Sequence, residues 1–238
     1  MAIAPFLAMT AAETRNHSVL PPKIAWMACH FSPYGLGLSN LPQRLPPHAL
    51  LLLDDITPIR EHDPQRITEQ LLNCLESLNC HGVLLDFQRP DVPETAVLVN
   101  HLTQTLPCPV IVSESYASEL SCPVFLPPVP PSVALEEYIS PWEGRSIWME
   151  IGLTGELLTL TEQGCETVPL PFPNEASEGF PEKALHCHYR IETNEKSARF
   201  TLWRTEKDLA ALLEEAEGLG ISGAVGLYQE FSKFQIFL

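Results

Sequence analysis

Asp86 and Gln88 stand two residues apart at the end of the run Gly82-Val83-Leu84-Leu85-Asp86-Phe87-Gln88-Arg89-Pro90. Side chains of a strand alternate with period two, so a carboxylate and an amide at this spacing point the same way. The apolar residues before them read as a parallel strand buried on both faces. The two polar groups then sit at its carboxyl end, where α/β sheets assemble their sites. Asp86 can accept hydrogen bonds, and Gln88 can both donate and accept, but Gln88 has no proton to release. The pair suits recognition of hydroxyl or amide groups, whereas acid catalysis would need a carboxylic acid at position 88.

Other carboxylates end neighbouring apolar runs. Asp54 and Asp55 close Ala49–Asp55, Glu114 follows a third run, and Glu230 follows the last. In a closed barrel such ends converge on one rim, so a relocated pair of carboxylates could serve hydrolysis. The contrasting reading has Asp55 capping a loop and Glu114 and Glu230 in solvent. Tyr228 either lines that rim or packs beside it. Among the tryptophans, Trp142 in Ser140-Pro141-Trp142-Glu143-Gly144 is the candidate for stacking on a sugar face, while Trp26 and Trp148 lie within strand patterns and read as core. His186-Cys187-His188 places two imidazoles on one strand face without a third ligand at a metal spacing, so no metal is expected. Gly35-Leu36-Gly37 lacks the Lys or third Gly of a phosphate-cradling loop, and no cofactor is expected.

The elements that would position these groups follow from patterning. Lys23–Phe31, Ala49–Asp55 and Val83–Phe87 read as strands. A helix over 64–78 has Asp63 as N-cap, Pro64 at its first position and an Ile67, Leu71, Leu75, Leu78 stripe. A second helix spans 93–105. Leu106-Pro107-Cys108-Pro109-Val110 and Leu120-Ser121-Cys122-Pro123-Val124 each open a short strand, and the link Glu114–Ser121 is too short for an ordinary helical crossover. Four prolines make Leu126–Pro131 extended, and Ser132 is expected to cap a helix over 132–139. Beyond 147 the pattern turns β-rich, with a hairpin expected about Thr154-Gly155, a second pair from 185–192 and 198–203, and an exposed loop over 168–182. Thr205 caps a helix over 206–218, and a last strand covers Gly223–Tyr228.

The fold class this predicts is α/β: an abbreviated or distorted TIM-type (β/α) barrel with a β-rich insertion before the last βα unit. Residues 1–21 read as a loosely ordered leader and 22–238 as a single barrel-like domain. The apolar start lacks a charged region and is interrupted by Pro5, so it does not read as a signal peptide. No run approaches a membrane span. A formal charge of −16 disfavours non-specific binding to nucleic acid or anionic lipid. Seven cysteines, an odd number without Cys-x-x-Cys spacing, point to reduced thiols and a cytoplasmic setting.

The stretch His81–Pro90 resembles the signature of glycoside hydrolase family 18, the chitinase-like barrels, which reads Asp-Gly-x-Asp-x-Asp-x-Glu, often continued by an aromatic and Pro. It shares Gly82, Asp86, an aromatic at Phe87 and Pro90; it departs at His81, at Leu84 and at Gln88, which stands where that family has its catalytic acid. The resemblance implies a barrel whose general acid is missing. It further implies non-hydrolytic binding of a small polar ligand, such as a saccharide or cell-wall fragment, near Asp55, Asp86, Gln88, Glu114, Trp142 and Tyr228. One alternative is an active glycoside hydrolase with a relocated carboxylate pair drawn from Asp86, Glu114 and Glu230. The other is a structural or partner-binding protein whose pocket is vestigial.

Overall fold

Runs of apolar residues too short for helices and flanked by turn residues become the staves of a closed barrel in a computed structural model that describes residues 3–59, 63–170 and 179–232. The staves are β1 (Phe6–Met9), β2 (Ile24–Phe31), β4 (Leu50–Asp54), β5 (Gly82–Asp86), β6 (Val110–Ser113), β7 (Val124–Leu126), β8 (Ile147–Ile151) and β14 (Gly223–Leu227), with β3 (Leu38–Ser39) pairing antiparallel on β2. They are neighbours in the order β1, β2, β4, β5, β6, β7, β8, β14, and β1 closes the ring by pairing with both β2 and β14. The fold is an eight-stranded parallel α/β barrel.

The alternation of each stave decides which residues fill the barrel. Phe6, Ala8, Ala25, Leu50, Leu52, Leu84, Ile111, Phe125, Trp148 and Val225 form one interior cluster. Burial on both faces explains why β4 and β5 read as continuous apolar runs rather than as alternating ones.

Helical cover is sparse. The helices are α1 (Ala11–Asn16), α2 (Pro64–Leu78), α3 (Pro93–Thr105), α4 (Glu114–Ala117), α5 (Leu135–Ile139), α6 (Glu206–Gly218) and α7 (Tyr228–Phe231). Asp63 caps α2 through Gln65 and Arg66 as its sequence indicates, and Thr205 and Asp208 form the capping box of α6. The short link after β6 holds only the single turn α4, yet β6 and β7 pair in parallel, so the barrel is abbreviated there. Among the described residues no helix is long and apolar enough to cross a membrane.

The chain separates into two compact units: residues 4–126, 144–149 and 222 onward form one, and 127–143 with 150–221 belong to the other. The second carries a five-stranded antiparallel sheet in the order β10 (Gly164–Leu170), β9 (Gly155–Thr161), β13 (Ser197–Trp203), β12 (Cys187–Thr193), β11 (Phe180–Glu182), together with α5 and α6. Arg204, 1 % exposed, holds it together: its guanidinium donates to the carbonyls of His186 at 3.1 Å, Leu185 and Pro130 at 3.2 Å each, and Val129. Burial pulls its pKa down, and the nearby Cys187, Glu156 and Asp208 oppose that pull.

Four expectations are corrected. Phe6–Met9 is no leader but a fully buried stave; four residues between Pro5 and the capping Thr10 are too few for a periodic signal. Ile147–Ile151 does not turn back on Gly155–Thr161. It pairs in parallel with β7, as its burial on both faces requires, and β9 instead pairs with β10 and β13. Ser132 caps nothing: α5 begins at Leu135, and the Ser132 N–H donates to the Glu156 carboxylate at 2.9 Å. The loop expected over 168–182 is partly strand, with β10 reaching Leu170 and β11 covering Phe180–Glu182; 171–178 lie outside the described residues.

Candidate functional site

The site begins with a glycine that lets two staves approach. A Cβ at Gly82 would lie 2.5 Å from the Pro109 carbonyl oxygen, the group that accepts the Val83 N–H at 3.0 Å. From there β5 runs through the core to Asp86. Leu50, Leu52 and Leu84 face the barrel interior, so alternation brings Asp54 and Asp86, which are in register on adjacent staves, to the inner side of the carboxyl-end mouth. Gln88 extends the same series and lies exposed, its amide donating to Asp86 Oδ1. The expected common direction of the two side chains is therefore met.

The turn that carries Gln88 is pinned from three sides. Asp55, 5 % exposed, accepts the backbone N–H of Gln88 at 3.0 Å and of Arg89 at 2.9 Å. Ser113, at the end of β6, accepts from the Phe87 N–H at 3.3 Å and donates to the Phe87 carbonyl at 3.0 Å. Tyr116 donates its hydroxyl to the Arg89 carbonyl and accepts the Val92 N–H at 3.3 Å. Phe87 is fully buried against Phe31 and Tyr116, with ring centroids 5.7 and 6.1 Å away. The aromatic in the sequence stretch is thus an anchor.

A histidine completes the row. His30, at the end of β2, is in register with Asp54, and its Nδ1 lies 2.8 Å from both carboxylate oxygens. A carboxylate only accepts, so His30 donates to Asp54 through Nδ1. Asp54 Oδ1 also accepts the Ile56 N–H at 3.0 Å. His30, Asp54 and Asp86 thus line three consecutive staves at one level. Burial raises the pKa of Asp86; the charges of Asp54 and Asp55 add to the rise, and the Gln88 amide bond offsets part of it. Tyr34, 97 % exposed, stands in the loop leaving β2, and Ile56, 71 % exposed, in the loop leaving β4.

Of the residues singled out from sequence, hydrogen bonds join Asp55, Asp86 and Gln88 directly, with Asp55 engaged by the backbone of the turn. Glu114 opens α4 one residue beyond Ser113 and is exposed. Tyr228 is not in the row. It begins α7, hydrogen-bonds His17 Nε2 at 2.9 Å and packs with Met9, Ile24 and Ala49, which alternate to the outside of the barrel. Glu230 lies in α7, half-buried. Trp142 ends a 3₁₀ turn of the other compact unit and is half-buried rather than fully exposed. Trp26 and Trp148 are core, as read.

His30 was hidden in the sequence by a bulge. The register of β2 shifts between Trp26 and Cys29, so alternation counted from Ala25 aims Cys29 inward and His30 outward, the reverse of what the structure shows. Asp54 was within reach of the same alternation that marked Asp86. Cys29 is a buried structural thiol whose pKa burial pushes well above the usual range. His188 pairs with Asp208 at 2.9 Å and His186 with Glu215, so each imidazole of the 186–188 stretch has its own carboxylate on α6. Among the described residues no group of three or more His, Cys, Asp and Glu is placed to hold a metal ion.

No family model and no curated protein sequence matches the chain. Solved structures do. A chitinase from Chromobacterium violaceum ATCC 12472 superposes with a TM-score of 0.53 at 11 % identity, over 94 % of this chain and 93 % of the chitinase. The spore cortex-lytic enzymes SleL of Bacillus megaterium QM B1551 and of Bacillus cereus align at 12 % and 10 % identity, each with a TM-score of 0.43 over 75 % of this chain. The chain spans 55 % of the length of each SleL. At these identities the likeness concerns architecture: the fold is an eight-stranded parallel barrel similar to that of a chitinase.

Proposed function

We propose that the protein binds a small polar ligand, such as a saccharide or cell-wall fragment, at the barrel mouth around Asp86 and Gln88, and does not hydrolyse it. The observation that carries this reading is the Gln88 amide bonded to the Asp86 carboxylate, at the position where the resemblance to family 18 hydrolases puts the acid. An amide forgoes the roughly 10²–10⁴-fold that a general acid supplies. What remains are groups that recognise hydroxyls and amides: Asp86 as acceptor, Gln88 as donor and acceptor, the second ring nitrogen of His30, and Tyr34 as an exposed ring for a sugar face. A reducing, cytoplasm-like compartment is part of the proposal and suits seven unpaired cysteines.

One observation favours a second reading. Asp54 and Asp86 are in register on adjacent staves, so two carboxylates stand side by side at the mouth, the kind of pair a glycoside hydrolase uses. Against it, Asp54 already serves His30 and the Ile56 N–H. Titrating chitooligosaccharides and muropeptide fragments by calorimetry, alongside a turnover assay with an aryl N-acetylglucosaminide, separates the two. Binding without turnover, weakened at least about tenfold by Asp86→Ala, is the expected result. Turnover abolished by Asp54→Asn would establish the hydrolase, and absence of any binding would remove the saccharide reading.

A further inference from the structure

A second cleft of the barrel unit, about 510 Å³ in volume, lies where the end of α1 and the loop over 40–44 flank the start of β2. Two guanidinium groups line it, Arg15 from the last turn of α1 and Arg44 from the loop. No lining residue is acidic, in a chain with 30 Asp and Glu against 14 Lys and Arg. Neither arginine forms an ion pair among the described residues. The side-chain amides of Asn40 and Gln43 add neutral donors, and Leu20 and Trp26 supply an apolar wall. The loop is held in place: Asn40 adopts a left-handed backbone (φ 56°) and its carbonyl accepts the Trp26 indole N–H at 3.0 Å. The volume falls in the range of small-molecule sites, which combine an apolar lining with a few charged or polar groups.

The chemistry of this lining is selective. A guanidinium presents a planar fork that matches carboxylate and phosphate oxygens two at a time. In a molecule of net charge −16 the general field repels anions, so an anion is held only where cations are concentrated without intervening carboxylates. We infer that this cleft binds a small organic anion, a carboxylate or a phosphate monoester carried on an apolar or aromatic body. The inference stands apart from the saccharide reading of the barrel mouth, since no residue is common to the two.

The test titrates the full chain with benzoate, phenyl phosphate and inorganic phosphate, followed by calorimetry and by chemical-shift changes. Expected are saturable binding that weakens with added salt, shifts confined to residues 11–15, 20, 26 and 40–44, and none at 86–88. Arg15→Gln and Arg44→Gln should each weaken binding by about ten- to hundredfold, as loss of a charge-assisted hydrogen bond does. Both side chains are exposed, so unchanged melting curves check that the variants fold. Stronger binding of phenyl phosphate identifies a phosphate ester, of benzoate a carboxylate, and binding of inorganic phosphate alone would deny the apolar wall a role and overturn the stated ligand class. Absence of binding at millimolar concentration, equal binding by the double variant, or shifts centred on 86–88 would each overturn the site.

Discussion

Replacing Gln88 by Glu asks whether the amide is what the barrel mouth requires. In the native protein the Gln88 amide donates to Asp86 Oδ1, so the carboxylate of Gln88→Glu would meet another carboxylate at the same place. Two unit charges about 4 Å apart repel by about 1 kcal/mol in water and about 4 kcal/mol at an effective dielectric constant near 20. Gln88 is exposed and Asp86 half-buried, so the cost lies between these, about 2 kcal/mol, with about 1 kcal/mol more for the lost hydrogen bond. The repulsion raises the folded-state pKa of the pair, adding to the rise that burial already imposes on Asp86. A carboxyl group with a raised folded pKa leaves stability intact below its unfolded pKa, about 4, and removes it as pH climbs through the folded value. Thermal melting by circular dichroism from pH ~4 to ~8 should show the variant losing ground to wild type as pH rises. The gap should reach about 6–12 °C at neutral pH, taking about 2–4 °C per kcal/mol for a chain of this size. Gln88→Ala, which removes the bond without adding charge, should give a smaller loss that does not follow pH in this way. A Gln88→Glu penalty that is absent or flat with pH would refute the contact, and with it the geometry on which the ligand proposal stands.

Two further outcomes follow from the same framework. Asp55→Ala removes the acceptor of the Gln88 and Arg89 N–H groups and should cost about 3 kcal/mol in urea unfolding, with loss of ligand binding because the turn no longer presents Gln88. Arg204→Met strands carbonyls of Val129, Pro130, Leu185 and His186 and should destabilise the antiparallel unit by about 3–5 kcal/mol, read as faster amide exchange in β12 and β13.

The legible part of the fold was the part whose physics is local. Ala49–Asp55 and Val83–Phe87 announce themselves because a stave buried on both faces must be apolar throughout, and Asp63-Pro64 and Thr205-x-x-Asp208 mark helix starts by chemistry confined to four residues. What stayed hidden depended on distant partners. Phe6–Met9 is a stave only because Val225–Leu227 and Ile24–Trp26 take its backbone groups on either side. Thr154-Gly155 has the composition of a hairpin turn, but Val124–Leu126 claims the preceding strand and Ser197–Trp203 the following one. The buried guanidinium of Arg204 leaves no sequence signal, since its partners are four carbonyls, which every residue has.

The candidate site divides along the same line, and the division decides what the family resemblance means. Gly82 matches the signature because a neighbouring carbonyl leaves no room for a Cβ, and Phe87 matches because its ring fills the space between Phe31 and Tyr116. Both are packing requirements of this barrel corner, met whether or not a reaction takes place there. Chemistry would rest on Asp86, on Gln88 and on the His30–Asp54 pair; of these Asp86 agrees with the signature and Gln88 departs from it, as do His81 and Leu84. Agreement at packing positions is what a shared architecture alone would produce. It also explains why a superposition spanning nearly the whole chain can coexist with 11 % identity: the barrel constrains which residues are apolar and where the backbone must pass, and constrains little else.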